Sequence, residues 1–177
     1  LLFRNLHDRT FEDITALSGL DKLPLESRRG AAFGDVNNDG KVDILMLNVG
    51  HPPTLLINRT PETGHAALFK LIGTKSNKAA IGARVTVSAG GVMQFNEVRS
   101  GSSYLSQNDL RLHFGLGTQT VIDTVEVSWP SGQKDVIKNL PADYIYTIVE
   151  GGTVKGKIPF AQPALQTAVT SKTATTK

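Results

Sequence analysis

Cysteine is absent from this 177-residue chain. That excludes disulfides and thiolate metal sites and leaves the compartment open. No apolar run reaches the ~18 residues of a membrane-spanning helix. Aromatic side chains make up 6%, with a single tryptophan. His7, His51 and His65 stand singly, so zinc and copper lack a ligand set. No signal peptide is visible, and the start at Leu1 rather than Met is read as a mark of processing or truncation.

Acid is missing from the C-terminal end. The formal charge is +3, but residues 153–177 hold Lys155, Lys157, Lys172 and Lys177 and no acid, which leaves 1–152 with a net −1. A near-neutral body argues against a broad phosphate-binding face, and so against a nucleic-acid partner. "QTAVTSKTATTK" offers no packing face, and residues 153–177 read as a flexible tail.

What is present is strand. "RVTVSAG" (84–90) alternates with Val85 and Val87 on one face. "LRLHFGLG" (110–117) places Leu110, Leu112, Phe114 and Leu116 together, with Arg111 and His113 opposite. "TVEVSWPSGQKDVI" (124–137) sets Val125, Val127 and Trp129 on one side and then turns at Pro130-Ser131-Gly132, a hairpin. "YIYTIVEGG" (144–152) is a further strand. The period of two predicts antiparallel sheet with one wet face. Helix is confined to one short turn in "FEDITALSGL" (11–20), ended at Gly19. "LLFRN" (1–5) is echoed by "LLIN" (55–58), a spacing that suits a repeated sheet unit such as a propeller blade.

Charge is concentrated in "DVNNDGKVD". Asp35, Asn37, Asp39 and Asp43 stand at positions 1, 3, 5 and 9, with Lys41 at position 7, where a backbone carbonyl suffices, and Gly40 at the turn. Alternating oxygens over nine residues wrap one point, and a hard cation takes six to eight oxygens at ~2.3–2.6 Å. Ca²⁺ is favoured over Mg²⁺, which keeps its water. The loop is not an EF-hand, because Met46 occupies position 12 and strand follows. The competing reading is an acidic surface turn, for which Asn-Asp-Gly is ordinary chemistry.

"RGAAFGDVNNDGKVDILMLNVG" (29–50) resembles the FG-GAP/VCBS repeat of integrin-alpha-type β-propellers, and "LLFRNLHDRTFEDIT" (1–15) resembles the end of a preceding repeat. "SNKAAIGARVTVSAGG" (76–91), "EVRSGSSYLSQNDLRLHFGLG" (97–117) and "VEVSWPSG" (125–132) resemble the ASPIC/UnbV domain, which follows such repeats in secreted proteins. The resemblance implies an extracellular or periplasmic protein with calcium in its propeller loops. It carries the ligand positions onto Asp35, Asn37, Asp39, Lys41 and Asp43. One blade cannot close a propeller, so an exposed sheet edge open to self-association is a further expectation.

"SGSSYLSQND" (100–109) is rich in hydrogen-bonding groups. Ser102, Ser103, Tyr104, Gln107 and Asn108 form a candidate sugar- or peptide-contacting set, weighed against a connection that satisfies its own backbone. Ser103, Asp109 and His113 invite a hydrolase triad, but no G-x-S-x-G elbow accompanies them. Trp129, on an apolar face, reads as core rather than as a sugar platform. Asn58-Arg59-Thr60 is a glycosylation sequon.

These observations predict an all-β protein. Residues 1–64 are expected as propeller-type blade strands around a Ca²⁺ loop, and residues 65–152 as an antiparallel sandwich or barrel-like module. The expected function is a calcium-binding, non-catalytic binding or adhesion module with an extracellular protein or glycan partner and no membrane span. The alternative is a carbohydrate-binding or enzyme-accessory domain that uses loop 100–109.

Overall fold

A computed structural model describes residues 1–6, 8–61 and 64–161. The alternating runs become strands because burying every second side chain satisfies both the pleat and the hydrophobic effect. In chain order they are β1 (Phe3–Asn5), β2 (Phe11–Asp13), β3 (Arg28–Gly34), β4 (Asp43–Asn48), β5 (Thr54–Leu56), β6 (His65–Ile72), β7 (Arg84–Ala89), β8 (Val92–Glu97), β9 (Leu112–Gly117), β10 (Val121–Ser128), β11 (Lys134–Pro141), β12 (Tyr144–Val149) and β13 (Thr153–Pro159). The single α-helical turn, α1 (Thr15–Ser18), stops at Gly19 in the left-handed region, as the sequence predicts.

The core lies between two four-stranded sheets, ordered β13-β12-β6-β9 and β11-β10-β7-β8. Val85, Val87, Val125 and Val127 point inward from one sheet; Phe69, Phe114, Tyr146 and Ile148 do so from the other. Phe69 centres an aromatic cluster, 5.7 Å from Phe114 edge-on and 5.7 Å from Tyr146 stacked. Each fully buried side chain of this size contributes roughly 1.5–3 kcal/mol. Trp129 is in this core, 4% exposed, and its Nε1–H donates to Asp135 at 2.6 Å. The expected hairpin at Pro130-Ser131-Gly132 is present, with Gly132 N–H donating to the Trp129 carbonyl.

The fold departs from expectation in four places. β12 runs parallel to β6, so that sheet is mixed. Parallel neighbours need a long crossover, and residues 73–143, which contain the whole second sheet, supply it. Residues 153–159, expected as tail, form β13 against β12 after Gly151 and Gly152, both at positive φ, reverse the chain. The rest of that expected tail, 162–177, lies outside the described residues, as does His7. Leu110 precedes β9 and is 37% exposed rather than buried. Among the described residues no propeller forms: residues 1–61 supply a β1–β2 ladder and a three-stranded sheet ordered β3-β4-β5.

The small sheet leans on the sandwich through the chain before β9. Asp109 N–H donates to the Phe33 carbonyl at 2.9 Å, and Phe33 N–H donates to Asn108 Oδ1 at 3.0 Å. A Cβ on Gly30 would meet the Ser106 hydroxyl at 2.4 Å and the Tyr104 carbonyl at 2.6 Å. Residues 104–109 therefore run along β3 at a distance only glycine permits, and they border the edge that was expected to be open.

Candidate functional site

The acidic loop joins β3 to β4, and its first and last carboxylates are buried: Asp35 is 2% exposed and Asp43 1%. Their oxygens order the loop's backbone. Asp35 Oδ1 accepts from Asp39 N–H and Oδ2 from Gly40 N–H. Asp43 Oδ2 accepts from Val36 N–H and Oδ1 from Asn58 N–H, which ties the end of β5 to the loop. Asp39 Oδ1 accepts from Lys41 N–H, and Asp39 Oδ2 from the Asn37 side-chain amide. These bonds explain how carboxylates sit beside a strand entrance: each oxygen has at least one donor.

The compensation is incomplete at Asp35. Burial pushes its carboxyl above the ordinary value, and the nearby Asp39 charge adds to that push. Hydrogen bonds from Gly40 and Asp39 and the charge of Arg111 pull the other way and do not reverse it. Among the described residues no three of His, Cys, Asp and Glu gather into a ready metal cluster. The donor chemistry nonetheless fits a hard cation. It is oxygen throughout, with three carboxylates within nine residues, one of them a buried charge that the protein leaves under-compensated.

The sandwich grips this loop at several points. Arg111, just before β9, donates from Nη2 to the Asp35 carbonyl at 2.5 Å and from Nη1 to Asn38 Oδ1 at 2.6 Å. Its Nε is held by Asp109 at 2.6 Å, which fixes the guanidinium plane. His113 Nε2 bonds the Gly40 carbonyl at 2.7 Å. Beyond β13, Ala161 N–H donates to the Asn38 carbonyl at 2.6 Å. The Phe160 ring lies against Gly40, where a Cβ would stand 2.5 Å from it. The sequence placed Arg111 and His113 on an outward face but gave no signal of their partner, because contacts over 70 residues leave no periodicity. Phe160 was missed with β13.

The serine-rich segment spends part of its hydrogen-bonding capacity on its own loop and on β3. Gln107 accepts from Gly101 N–H and donates to the Arg99 and Asn108 carbonyls, so its amide is spent on the loop itself. Asn108 Oδ1 is used by Phe33. Ser103 forms an isolated bridge with Ser106, and Ser102 lines a cleft of about 290 Å³ beside Phe33 and Arg99. Tyr104 is 61% exposed at the tip. The Asp109 carboxylate is held by Arg111 and the His113 Nε2 bonds the Gly40 carbonyl, while the Ser103 bridge to Ser106 is a backbone pairing.

Residues 73–155 match the sequence model of the family described as ASPIC and UnbV. The matched segment runs from the end of β6 into β13 and contains the whole of the second sheet. Cartilage acidic protein 1 of Xenopus tropicalis is 34% identical over 88 residues, half of this chain. Cartilage acidic protein 1 of Homo sapiens is 45% identical over 56 residues, 32% of this chain. The matches cover only 13% and 8% of those relatives' lengths.

Proposed function

We propose that this chain is a calcium-stabilised, non-catalytic binding or adhesion module of an extracellular or periplasmic protein. Its acidic loop is of the FG-GAP/VCBS kind. The observation that carries the reading is an oxygen-rich loop with two buried carboxylates, Asp35 and Asp43, which the segment 73–155 grips through Arg111 and His113 and against which Phe160 of the following chain packs. Asp35, Asn37, Asp39 and Asp43 would hold the ion through side-chain oxygens, and Lys41 through its backbone carbonyl. The ion would supply positive charge to the loop, and the loop would then sit as a firm wedge between the small sheet and the sandwich. Two relatives named for cartilage, a tissue rich in extracellular matrix, support the setting.

Thermal unfolding of chelator-treated protein tests the reading. Added Ca²⁺ is expected to raise the midpoint, with about 2.7 kcal/mol gained at a hundredfold excess over Kd. Asp39→Ala is expected to remove the response, since Asp39 is a ligand whose own bonds are local. An unchanged midpoint in the parent protein would end the calcium reading.

A further inference from the structure

Among the described residues, four strands form the edges of the sandwich: β11, β13, β9 and β8. Three of them carry features that discourage a further strand from pairing. β11 holds Lys134, Lys138 and Pro141, with Asn139 at a φ of +57. β13 holds Lys155, Lys157 and Pro159, and its register against β12 shifts between Thr147 and Ile148. β9 is irregular beside His65 and Ala66, and its Gly115 carbonyl accepts from the Gln94 side-chain amide at 2.7 Å. β8 has none of these. Its sequence, "VMQFNE", contains no lysine, arginine or proline. From Val92 to Glu97 it pairs with β7 without a register shift.

What β8 presents is apolar. Val87 is buried and stands opposite Gln94, so Gln94 faces the core while Met93 and Phe95 face outward. Met93 is 74% exposed and Phe95 69%. Val92, on the inward side, is 61% exposed, so β9 does not cover that end of the strand. The Arg84 guanidinium lies over the Phe95 ring, 5.3 Å from its centre, and holds the ring in place. A regular, apolar, uncharged edge is a template for another strand.

β8 is self-complementary. A two-fold axis through an antiparallel pair passes between one residue and its own copy. Placed at Gln94, it sets Met93 opposite the partner's Phe95 and Phe95 opposite the partner's Met93, thioether on aromatic ring. Glu97, the one charge of the strand, then lies beyond the paired stretch. Placed at Phe95, the axis would set Glu97 against the partner's Met93 and strip water from a charge with no cation in exchange. We propose that the protein forms a homodimer in which β8 pairs antiparallel with the β8 of a second copy, centred on Gln94. The two β11-β10-β7-β8 sheets thereby join edge to edge. A single strand pair falls at the small end of interfaces, below about 1,200 Å², so the dimer is weak and reversible. No residue of the acidic loop takes part, and the dimer stands or falls separately from the calcium reading.

Sedimentation velocity of the full chain over a concentration series tests this. The expected result is a reversible monomer–dimer equilibrium. Met93→Lys and Phe95→Lys, both on the exposed face, should each raise the dissociation constant at least about tenfold with midpoints of unfolding near the parent's. Val136→Lys is the control: Val136 is apolar and 54% exposed, but on the β11 edge of the same sheet. It should leave the equilibrium unchanged. The register is read by a single introduced cysteine, since the chain has none of its own. Facing residues of an antiparallel pair have Cα atoms about 4.5–5.5 Å apart, within disulfide reach. Gln94→Cys should therefore give a covalent dimer on mild oxidation much faster than Val136→Cys does. The proposal is overturned by a monomer at every concentration, by a dimer that Met93→Lys and Phe95→Lys leave intact, or by Gln94→Cys cross-linking no faster than Val136→Cys.

Discussion

The Nε2 of His113, on β9, bonds the carbonyl oxygen of Gly40, in the acidic loop, at 2.7 Å. That bond crosses from the sandwich to the small sheet, and it has company: Arg111 reaches Asp35 and Asn38 from the same side. The loop is therefore a structural joint between the two sheet systems, and its order depends on both.

Arg111→Ala should loosen the joint. It deletes charge-assisted donors to a backbone carbonyl and leaves Asp109 without its partner. The expected loss is about 1.5–3 kcal/mol, read from the denaturant midpoint. Amide exchange should quicken at residues 35–43 while β7 and β10 stay protected. Uniform loss of protection would instead mean that the sandwich depends on the loop.

Gly40→Ala should be costly twice over. Its φ of +85 disfavours a side chain, and the new Cβ would stand 2.5 Å from the Phe160 ring. Strain of order 1–3 kcal/mol is expected from the backbone alone. Adding Phe160→Ala should recover only the part due to the ring, so the double variant should unfold later than Gly40→Ala but earlier than Phe160→Ala.

Phe69→Ala removes the hub of the aromatic cluster, which is completely buried. A loss of about 3–5 kcal/mol in chemical unfolding is expected. That is a large fraction of the roughly 5–15 kcal/mol by which a domain is stable, so the variant is expressed and measured at lower temperature.

Glu150 predicts the acid response. It is 6% exposed at the end of β12. Burial works against its ionisation, but Oε2 accepts from the Thr74, Lys75 and Ser76 N–H groups and Oε1 from two serine hydroxyls. The hydrogen bonds win and hold the carboxyl far below its ordinary 4.5. The folded state thus binds fewer protons than the unfolded one, so this contribution is complete above about pH 4.5 and declines as pH falls below it. Glu150→Gln should lower stability at neutral pH and make the acid limb shallower.

The sequence was legible where one side chain in two is buried. Val85, Val87, Val125, Val127 and Trp129 could be placed inside from alternation alone, and the turn at 130–132 from its residues. β13 was hidden because "GTVKGKIPF" has weak alternation and takes its stability from β12. The parallel pairing of β6 with β12 was hidden because register between distant strands has no local mark. At the site, the spacing of Asp35, Asp39 and Asp43 was plain. Their backbone partners and the grip of Arg111 were not, since those depend on where residue 111 lands in space.

Cation binding by the acidic loop is the central property of the proposed module. Isothermal titration of Ca²⁺ into chelator-stripped protein at neutral pH measures this directly. A saturable one-site binding heat in the parent protein that vanishes in Asp39→Ala is the predicted result. A flat titration, or the same heat in both proteins, would contradict it.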